Sequence, residues 1–278
     1  MNNNDNQLDG ARSDAERLQA AGEEQWNKDT FAAWTERFGE PAAAAARLAA
    51  DPAAKLNPLL EAMGEVRGRK VMNLMGSNGI KAVALALLGA DVTVADYSAT
   101  NAAYAKELAR AAGVPLTYVV SDVLNLPDEV QRGEFDLVFA EMGIVHYFTD
   151  LDRFMHTAFS LMVPGGRFVL RDFHPVTTKL ITSRGSTAKV RKHKVTGDYF
   201  DTSLEEKTIS YSKYLPGGGT EQTAETVQWR RWTLGEIVTS AARAGLTIEM
   251  LQEEPNLSSD TYDKGIPKTF TLTARKPV

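Results

Sequence analysis

The chain has 278 residues, of which 43% are hydrophobic and none is cysteine, and its formal net charge is -5 at pH 7. This length and composition suit one large domain, or a domain with an added cap. The acidic balance disfavours a dedicated nucleic-acid binder, and the lack of cysteine excludes disulfides, a thiolate nucleophile and Cys-ligated metals.

The first part of the chain predicts a polar tail followed by helices. Residues 1–22 are polar, and residues 23–69 place Trp26, Phe31 and Trp34 among charged residues ahead of the stretch "PAAAAARLAADPAAKLNPLLEAM". Alanine-rich runs punctuated by proline are typical of short helices. We therefore expect an N-terminal segment of two or three helices before the first strand.

Strands and helices alternate between residues 70 and 175. The five strands are predicted in "RKVMNLMG", "ADVTVADYS", "PLTYVVSDV", "EFDLVFAEMG" and, after a Pro-Gly-Gly break, "GRFVLRDFHP". Continuously apolar strands separated by helices that end at glycine, as at Gly89, are typical of a parallel sheet covered on both faces. The alternation predicts an α/β fold with a doubly wound sheet and right-handed crossovers.

Residues 176–232 interrupt this alternation with basic and Gly-rich pieces, whose alternating Thr, Tyr, Val and Ile predict short antiparallel strands of an inserted cap. Regular order returns at Thr233, where "TLGE" is a capping box. The last two strands, "LTIEMLQEE" and "KTFTLTARK", have no helix-length segment between them and should be antiparallel. The predicted core is therefore residues 70–175 and 233–278.

The turn after the first strand points to a nucleoside cofactor. In an open parallel sheet, ligands bind beyond the carboxyl ends of the strands, where the strand order reverses. The turn leads into the N-terminus of a helix, and Asp96 ends the second strand about twenty residues further on, within reach of a ribose. Dinucleotides and S-adenosylmethionine both use this arrangement, and glycine spacing alone does not separate them.

Three further features separate the two cofactors. Asp122 ends the third strand in "SDV", the fourth strand is coupled to a helix and a "PGG" turn in "FDLVFAEMGIVHYFTDLDRFMHTAFSLMVPGGRFVL", and the chain closes with the antiparallel pair. With these features, residues 71–276 resemble the class I S-adenosylmethionine-dependent methyltransferases, in particular their small-molecule group. The resemblance implies a seven-stranded, mostly parallel sheet of order 3-2-1-4-5-7-6 with strand seven reversed.

The resemblance also implies a set of cofactor contacts at the carboxyl edge of the sheet. Asp96 would bind the ribose hydroxyls, with Tyr97 against the adenine, Asp122 and Val123 at the adenine edge, and Glu141 facing the amino-acid end of the cofactor or the substrate. The remaining expected contacts are Asn73, Gly76, Ser77 and Gly79 in the turn and Met142 after the fourth strand. The turn departs from the family pattern, because Asn73 stands where an acid is common and Met75 and Ser77 where glycines are common. For Asp96 the alternative is a cap on the next helix, and for Asp122 an ordinary turn acid.

Methyl transfer requires no metal, and a general base helps only when the acceptor must lose a proton. The candidates are His174, which ends the fifth strand with Asp172 on the same face, and His146 after the fourth strand. A histidine that bonds the cap backbone is the alternative for His174, and one that orients the loop is the alternative for His146.

The sequence leads us to expect a cytoplasmic enzyme that transfers a methyl group from S-adenosylmethionine to an oxygen or nitrogen of a small molecule by in-line displacement, and leaves S-adenosylhomocysteine. The acceptor is expected to be anionic or planar, with no nucleic-acid or membrane partner, and a homodimer stays open. Its expected contacts are Tyr199, Trp229, Arg230 and Trp26. The alternatives are an NAD-type oxidoreductase and a non-catalytic cofactor-binding protein with the same fold.

Overall fold

The computed structural model describes residues 30–130, 132–182, 194–209, 225–255 and 265–278. Its N-terminal part holds four helices, namely α1 (residues 30–38), α2 (Pro41–Ala50), α3 (Pro52–Leu56) and α4 (Leu59–Met63). Pro41 and Pro52 stand at helix starts, where a missing N–H costs nothing, and the Asp51 carboxylate accepts a hydrogen bond from the N–H of Ala54. Proline thus divides this segment into short helices.

The other elements follow in chain order. The helices after the first strand are α5 (Ile80–Leu87), α6 (Ala99–Ala112), α7 (Leu151–Leu161) and α8 (Leu234–Arg243). The strands are β1 (Lys70–Leu74), β2 (Asp91–Asp96), β3 (Thr117–Val120), β4 (Phe135–Glu141), β5 (Met162–Phe173), β6 (Ile181–Thr182), β7 (Lys194–Val195), β8 (Leu204–Ile209), β9 (Glu225–Arg230), β10 (Thr247–Pro255) and β11 (Pro267–Arg275). None of the helices in these described ranges is long and apolar enough to cross a membrane.

Seven strands form one sheet in the order β3-β2-β1-β4-β5-β11-β10. Strand β11 is antiparallel to both β5 and β10, whereas the remaining pairs are parallel. With β10 and β11 counted as sixth and seventh, this confirms the predicted order and the reversed last strand. Strands β2 and β3 follow on one side of β1, whereas β4 and β5 follow on its other side. The strand order therefore reverses between β1 and β4.

The start of β5 differs from the prediction. The sequence "PGG" predicts a break before the strand, but Pro164, Gly165 and Gly166 lie within β5, which begins at Met162 directly after α7. The irregularity is absorbed by a register shift opposite Phe135 and Leu137 of β4. A bulge of this kind accommodates extra residues in a strand without ending it.

Helices cover both faces of the sheet. One buried cluster lies between helices α1 through α6 and one face of the sheet, and Tyr104 and Phe139 are fully buried in it. The second cluster joins α7 and α8 with the other face, around Phe154, Phe168 and Phe270. Continuous apolar strands are therefore buried on both sides, as a doubly wound sheet requires.

The segment after β5 contains short antiparallel strands in its described part. Strand β6 pairs with β7, and β8 pairs with β9. A turn of π-helix at Val176–Leu180 connects β5 to β6. That this segment acts as a substrate cap, and that the chain divides at the predicted boundaries, stay predictions.

Candidate functional site

The turn after β1 is held in a tight shape by its backbone. Met75, Ser77 and Gly79 have φ angles of 51°, 50° and 73°, which is the left-handed region. A Cβ at Gly76 would lie 2.4 Å from Asn73 Oδ1 and 2.7 Å from Val94 Cγ1, and one at Gly79 would lie 2.5 Å from Ala105 Cβ. Glycine is therefore required at 76 and 79, whereas Met75 and Ser77 keep a glycine-like backbone despite their side chains.

The carboxylate of Asp96 lies beneath this turn, at the end of β2. It accepts hydrogen bonds from the backbone N–H of Ser77 at 3.0 Å, from that of Ser98 at 3.0 Å and from Asn101 Nδ2 at 3.1 Å. Burial raises the pKa of Asp96, and these hydrogen bonds oppose the increase. Because a carboxylate has about four acceptor positions, Asp96 can take a further donor while also serving the turn and the start of α6.

Glu141, at the end of β4, forms an ion pair with Lys81 near the start of α5. Both side chains line a cavity of about 230 Å³ together with Gly76, Ser77 and Phe38. Burial raises the pKa of Glu141, and Lys81 acts against that increase. Lys81 was missed from the sequence, although it is the one charged residue of the apolar helix "IKAVALAL".

The other expected cofactor residues lie at the same edge but differ in exposure. The Asp122 carboxylate accepts hydrogen bonds from the Leu124 N–H at 2.9 Å and from Asn125 Nδ2 at 2.6 Å, as an ordinary turn acid does. Tyr97 and Met142 are exposed, and Val123 and Asn73 are buried. Asn73 nevertheless lines the 230 Å³ cavity together with the turn residues Gly76 and Ser77.

A second cavity, of about 450 Å³, lies where β4 and β5 end against β8 and β9. The side chains that give it its character are His146, Asp172, Phe173, Lys207, Trp229 and Arg231. The rings of His146 and Trp229 are 3.8 Å apart between centroids. Burial lowers the pKa of His146 to about 4, against the effect of Asp172, so its ring is neutral at physiological pH.

Asp172 anchors the loop that carries His146. Its carboxylate accepts hydrogen bonds from the backbone N–H groups of Gly143 at 2.6 Å, Ile144 at 2.8 Å and Val145 at 2.9 Å. A carboxylate that accepts several backbone hydrogen bonds is held rigidly in one orientation. Asp172 thus borders the cavity mainly as the support of this loop.

His174 lies outside this cavity and is almost fully buried. Its Nδ1 accepts a hydrogen bond from the Val176 N–H at 3.1 Å, which puts the ring proton on Nε2, 2.6 Å from Glu253 Oε1. Both nitrogens are therefore used within the protein. This geometry matches the structural alternative, and a catalytic role for His174 stays a prediction that no contact supports.

Of the expected substrate contacts that lie in the described residues, Trp229 alone lines the cavity. Its neighbour Arg230 points the opposite way, because successive strand side chains alternate, and it stacks on Trp232 and pairs with Glu236. The Tyr199 hydroxyl accepts a hydrogen bond from the Leu234 N–H at 3.0 Å. Trp26 lies outside the described residues. Lys207 and Arg231 are cavity residues that the sequence did not suggest.

Comparison with known proteins identifies the fold. Residues 75–170 match the family model described as a methyltransferase domain. The ubiquinone biosynthesis O-methyltransferase of Methylobacterium sp. (strain 4-46) is 37% identical over 102 residues, which cover 36% of this chain and 39% of that protein. The chain spans between 35% and 56% of the length of the curated relatives it matches.

Two solved structures share the fold across their whole length. A putative S-adenosylmethionine-dependent methyltransferase from Listeria monocytogenes has a TM-score of 0.63 at 18% identity, with 81% of this chain and 99% of that chain covered. An S-adenosylmethionine-dependent methyltransferase from Mesorhizobium loti has a TM-score of 0.58 at 22% identity, with coverages of 79% and 97%. Residues 75–170 therefore match a methyltransferase domain, and the fold of the described residues is similar to that of solved S-adenosylmethionine-dependent methyltransferases.

Proposed function

We propose that this chain is an S-adenosylmethionine-dependent methyltransferase that acts on an oxygen or nitrogen of a small molecule. The observation that carries the proposal is that the end of β4 lines one cavity and the loop that follows it lines another. Glu141, which begins the loop, lines the 230 Å³ cavity, and His146, five residues later, lines the 450 Å³ cavity. Two ligands, one bound in each cavity, would meet at this loop, at the carboxyl edge of the sheet where the strand order reverses.

The residues around the smaller cavity fit the proposed cofactor chemically. Lys81 and Glu141, which line the cavity, offer one positive and one negative group to the zwitterionic amino-acid end. Asp96 does not line the cavity but is bonded to Ser77, which does, and it keeps an acceptor position for a ribose hydroxyl. Gly76 lets the turn pack closely on Asn73 and Val94, where a Cβ would clash. When bound, S-adenosylmethionine supplies an electrophilic methyl group on a sulfonium sulfur.

The larger cavity favours a planar acceptor with negative charge. Trp229 and Phe173 offer flat apolar faces, and Trp229 Nε1 is a buried donor without a hydrogen-bond partner among the described residues. Lys207 and Arg231, which both pair with Glu205, offer two cationic groups to an anionic substituent, whereas the Asp172 carboxylate is bonded to backbone N–H groups. A volume of 450 Å³ is within the usual range of small-molecule sites.

An oxygen acceptor is supported by the name of the relative, since the ubiquinone biosynthesis enzyme is an O-methyltransferase. We propose that the neutral ring of His146 accepts the hydrogen bond, and then the proton, of an acceptor hydroxyl. A base with a pKa of about 4 is weak, so we expect a contribution near the lower end of the roughly 10²–10⁴-fold typical of general bases. Positioning of the acceptor by Trp229 and the loop supplies the larger share, up to about 7–11 kcal/mol.

We also propose that the protein acts in the cytoplasm without a nucleic-acid or membrane partner. The support is the net charge of -5 and the absence of cysteine.

Calorimetric titration tests the cofactor. We expect binding of S-adenosylmethionine and S-adenosylhomocysteine and no binding of NAD, and tight NAD binding without the sulfur ligands would overturn the proposal. Methyl-labelled S-adenosylmethionine incubated with matched sets of phenols, carboxylates and amines then tests the acceptor. We expect label in acidic phenols, and labelling of aliphatic amines alone would contradict the cavity argument.

A further inference from the structure

A continuous chain of hydrogen bonds leads from the N-terminal helix to the turn after β1. Trp34 Nε1 donates to Asn101 Oδ1 at 2.8 Å, Asn101 Nδ2 donates to Asp96 Oδ1 at 3.1 Å, and the Ser77 N–H donates to Asp96 Oδ2 at 3.0 Å. The side chains of Trp34, Asn101 and Asp96 are all buried. We infer that Asn101 is a positioning residue, which orients the Asp96 carboxylate for the cofactor and ties that orientation to α1. The inference rests on the proposed function, because it assigns Asp96 to the cofactor ribose.

Trp34 decides which way the Asn101 amide points. An indole N–H can only donate, so it must face the amide oxygen and not the amide nitrogen. The Nδ2 group is thereby turned toward Asp96, whose carboxylate can only accept when ionised. Without the indole N–H, the Asp96 carboxylate alone is left to hold the orientation of the amide.

The helix that carries Trp34 also reaches the cofactor cavity. Trp34 packs on Phe38 with 5.7 Å between ring centroids, and Phe38 lines the 230 Å³ cavity. The same helix contacts α6 through Phe31, whose ring meets Tyr104 edge-on at 5.5 Å. Helix α1 is thus packed against the element that bears Asn101 and ends beside the proposed cofactor.

A second hydrogen bond between the same two segments provides a matched comparison. The Tyr104 hydroxyl on α6 donates to the carbonyl oxygen of Gly39, directly after α1, at 2.9 Å. This bond joins the N-terminal segment to α6 without touching Asp96 or Asn101. Its loss should loosen the packing of α1 to a degree similar to the loss of the Trp34 bond, but should not disturb the carboxylate.

The two conservative variants Trp34→Phe and Tyr104→Phe therefore separate positioning from packing. We expect the Kd for S-adenosylhomocysteine, measured by calorimetry on the full chain, to rise about tenfold in Trp34→Phe and to change less than twofold in Tyr104→Phe. The KM for the acceptor should stay within twofold of wild type in both. Thermal unfolding should show a similar, modest decrease in Tm for the two variants.

A double-mutant comparison tests whether Trp34 acts through Asn101. In an Asn101→Ala background, Trp34→Phe should not weaken S-adenosylhomocysteine binding further, because the amide that it orients is gone. Independent effects that multiply in the double variant would overturn the inference. If Asn101→Ala fails to fold, the comparison of Trp34→Phe with Tyr104→Phe still tests the positioning role.

The possible outcomes distinguish this inference from the proposed function. A wild-type protein that binds neither S-adenosylmethionine nor S-adenosylhomocysteine overturns both. A wild-type protein that binds them, with equal Kd changes in Trp34→Phe and Tyr104→Phe, overturns only the positioning role. If the packing of α1 affects cofactor binding, cofactor binding must equally affect α1. S-adenosylhomocysteine should therefore slow amide hydrogen exchange in α1, and should slow it less in Trp34→Phe than in wild type.

Discussion

Asp172 on β5 fixes the backbone that presents His146, since its carboxylate accepts the N–H groups of the three residues that precede the histidine. In Asp172→Asn one acceptor oxygen becomes an amide that faces backbone donors. We expect a loss of about 2–4 kcal/mol in the free energy of unfolding, together with a lower kcat. Urea denaturation and turnover assays measure the two effects. Wild-type stability in this variant would show that the loop does not depend on the carboxylate.

The low pKa of His146 predicts a contribution to the pH dependence of stability. The ring has a pKa of about 4 when folded, against 6.5 ordinarily, so the unfolded chain takes up the proton first as the pH falls. Stability should therefore decrease progressively from about pH 6.5 to pH 4, by up to about 3 kcal/mol from this group.

The variant His146→Gln, which does not titrate, should lose less stability than wild type across that interval in urea denaturation at a series of pH values. Its turnover should also fall while its Kd for S-adenosylhomocysteine stays unchanged. Parallel pH profiles for the two proteins would contradict the assignment of the shift to His146.

The pair of Lys81 and Glu141 predicts selective loss of affinity for the amino-acid end of the cofactor. In Lys81→Met we expect the Kd for S-adenosylhomocysteine to rise about tenfold, about 1.4 kcal/mol, because a charge-assisted contact is lost. Adenosine, which lacks the amino-acid end, serves as the control ligand and should bind both proteins alike. Equal weakening of both ligands would place the lysine elsewhere in the site.

His174 and His146 should behave differently when replaced. His174→Ala removes a buried ring whose two nitrogens are bonded to Val176 and Glu253, so we expect a loss of about 1–3 kcal/mol in stability and a kcat within threefold of wild type. His146→Ala should lower kcat by at least tenfold with a smaller stability change. Turnover and urea denaturation of the same preparations test this, and a large kcat loss in His174→Ala alone would reverse the roles.

The backbone architecture was predictable because each step depends on local pattern. Apolar runs indicated the strands, and Gly89 and Thr233 indicated the end of one helix and the start of another. Because no helix separates the last two strands, the final strand was predicted to be antiparallel. Asp96 was proposed as a cofactor contact because the end of the second strand has a fixed place in such a sheet, and this stays a prediction.

The roles of individual side chains were harder to predict, because they depend on contacts between elements distant in sequence. Nothing local tells that Lys81 reaches Glu141 across 60 positions, or that Glu253 on β10, two strands away from β5, bonds to His174. Arg230 ends β9 and Arg231 follows it, and this difference of one position decides which of them borders the 450 Å³ cavity. That Arg230 contacts the substrate stays a prediction.

The backbone at Met75 and Ser77 has a consequence for how such turns can be recognised. Met75 and Ser77 keep the left-handed conformation although they carry side chains. Close packing around Gly76 and Gly79 and the hydrogen bond from the Ser77 N–H to Asp96 maintain the conformation of the turn. The geometry is thus enforced by neighbours rather than by local conformational freedom. Related chains with substitutions at the same two places should make the same loop, and a search by glycine count alone would pass over them.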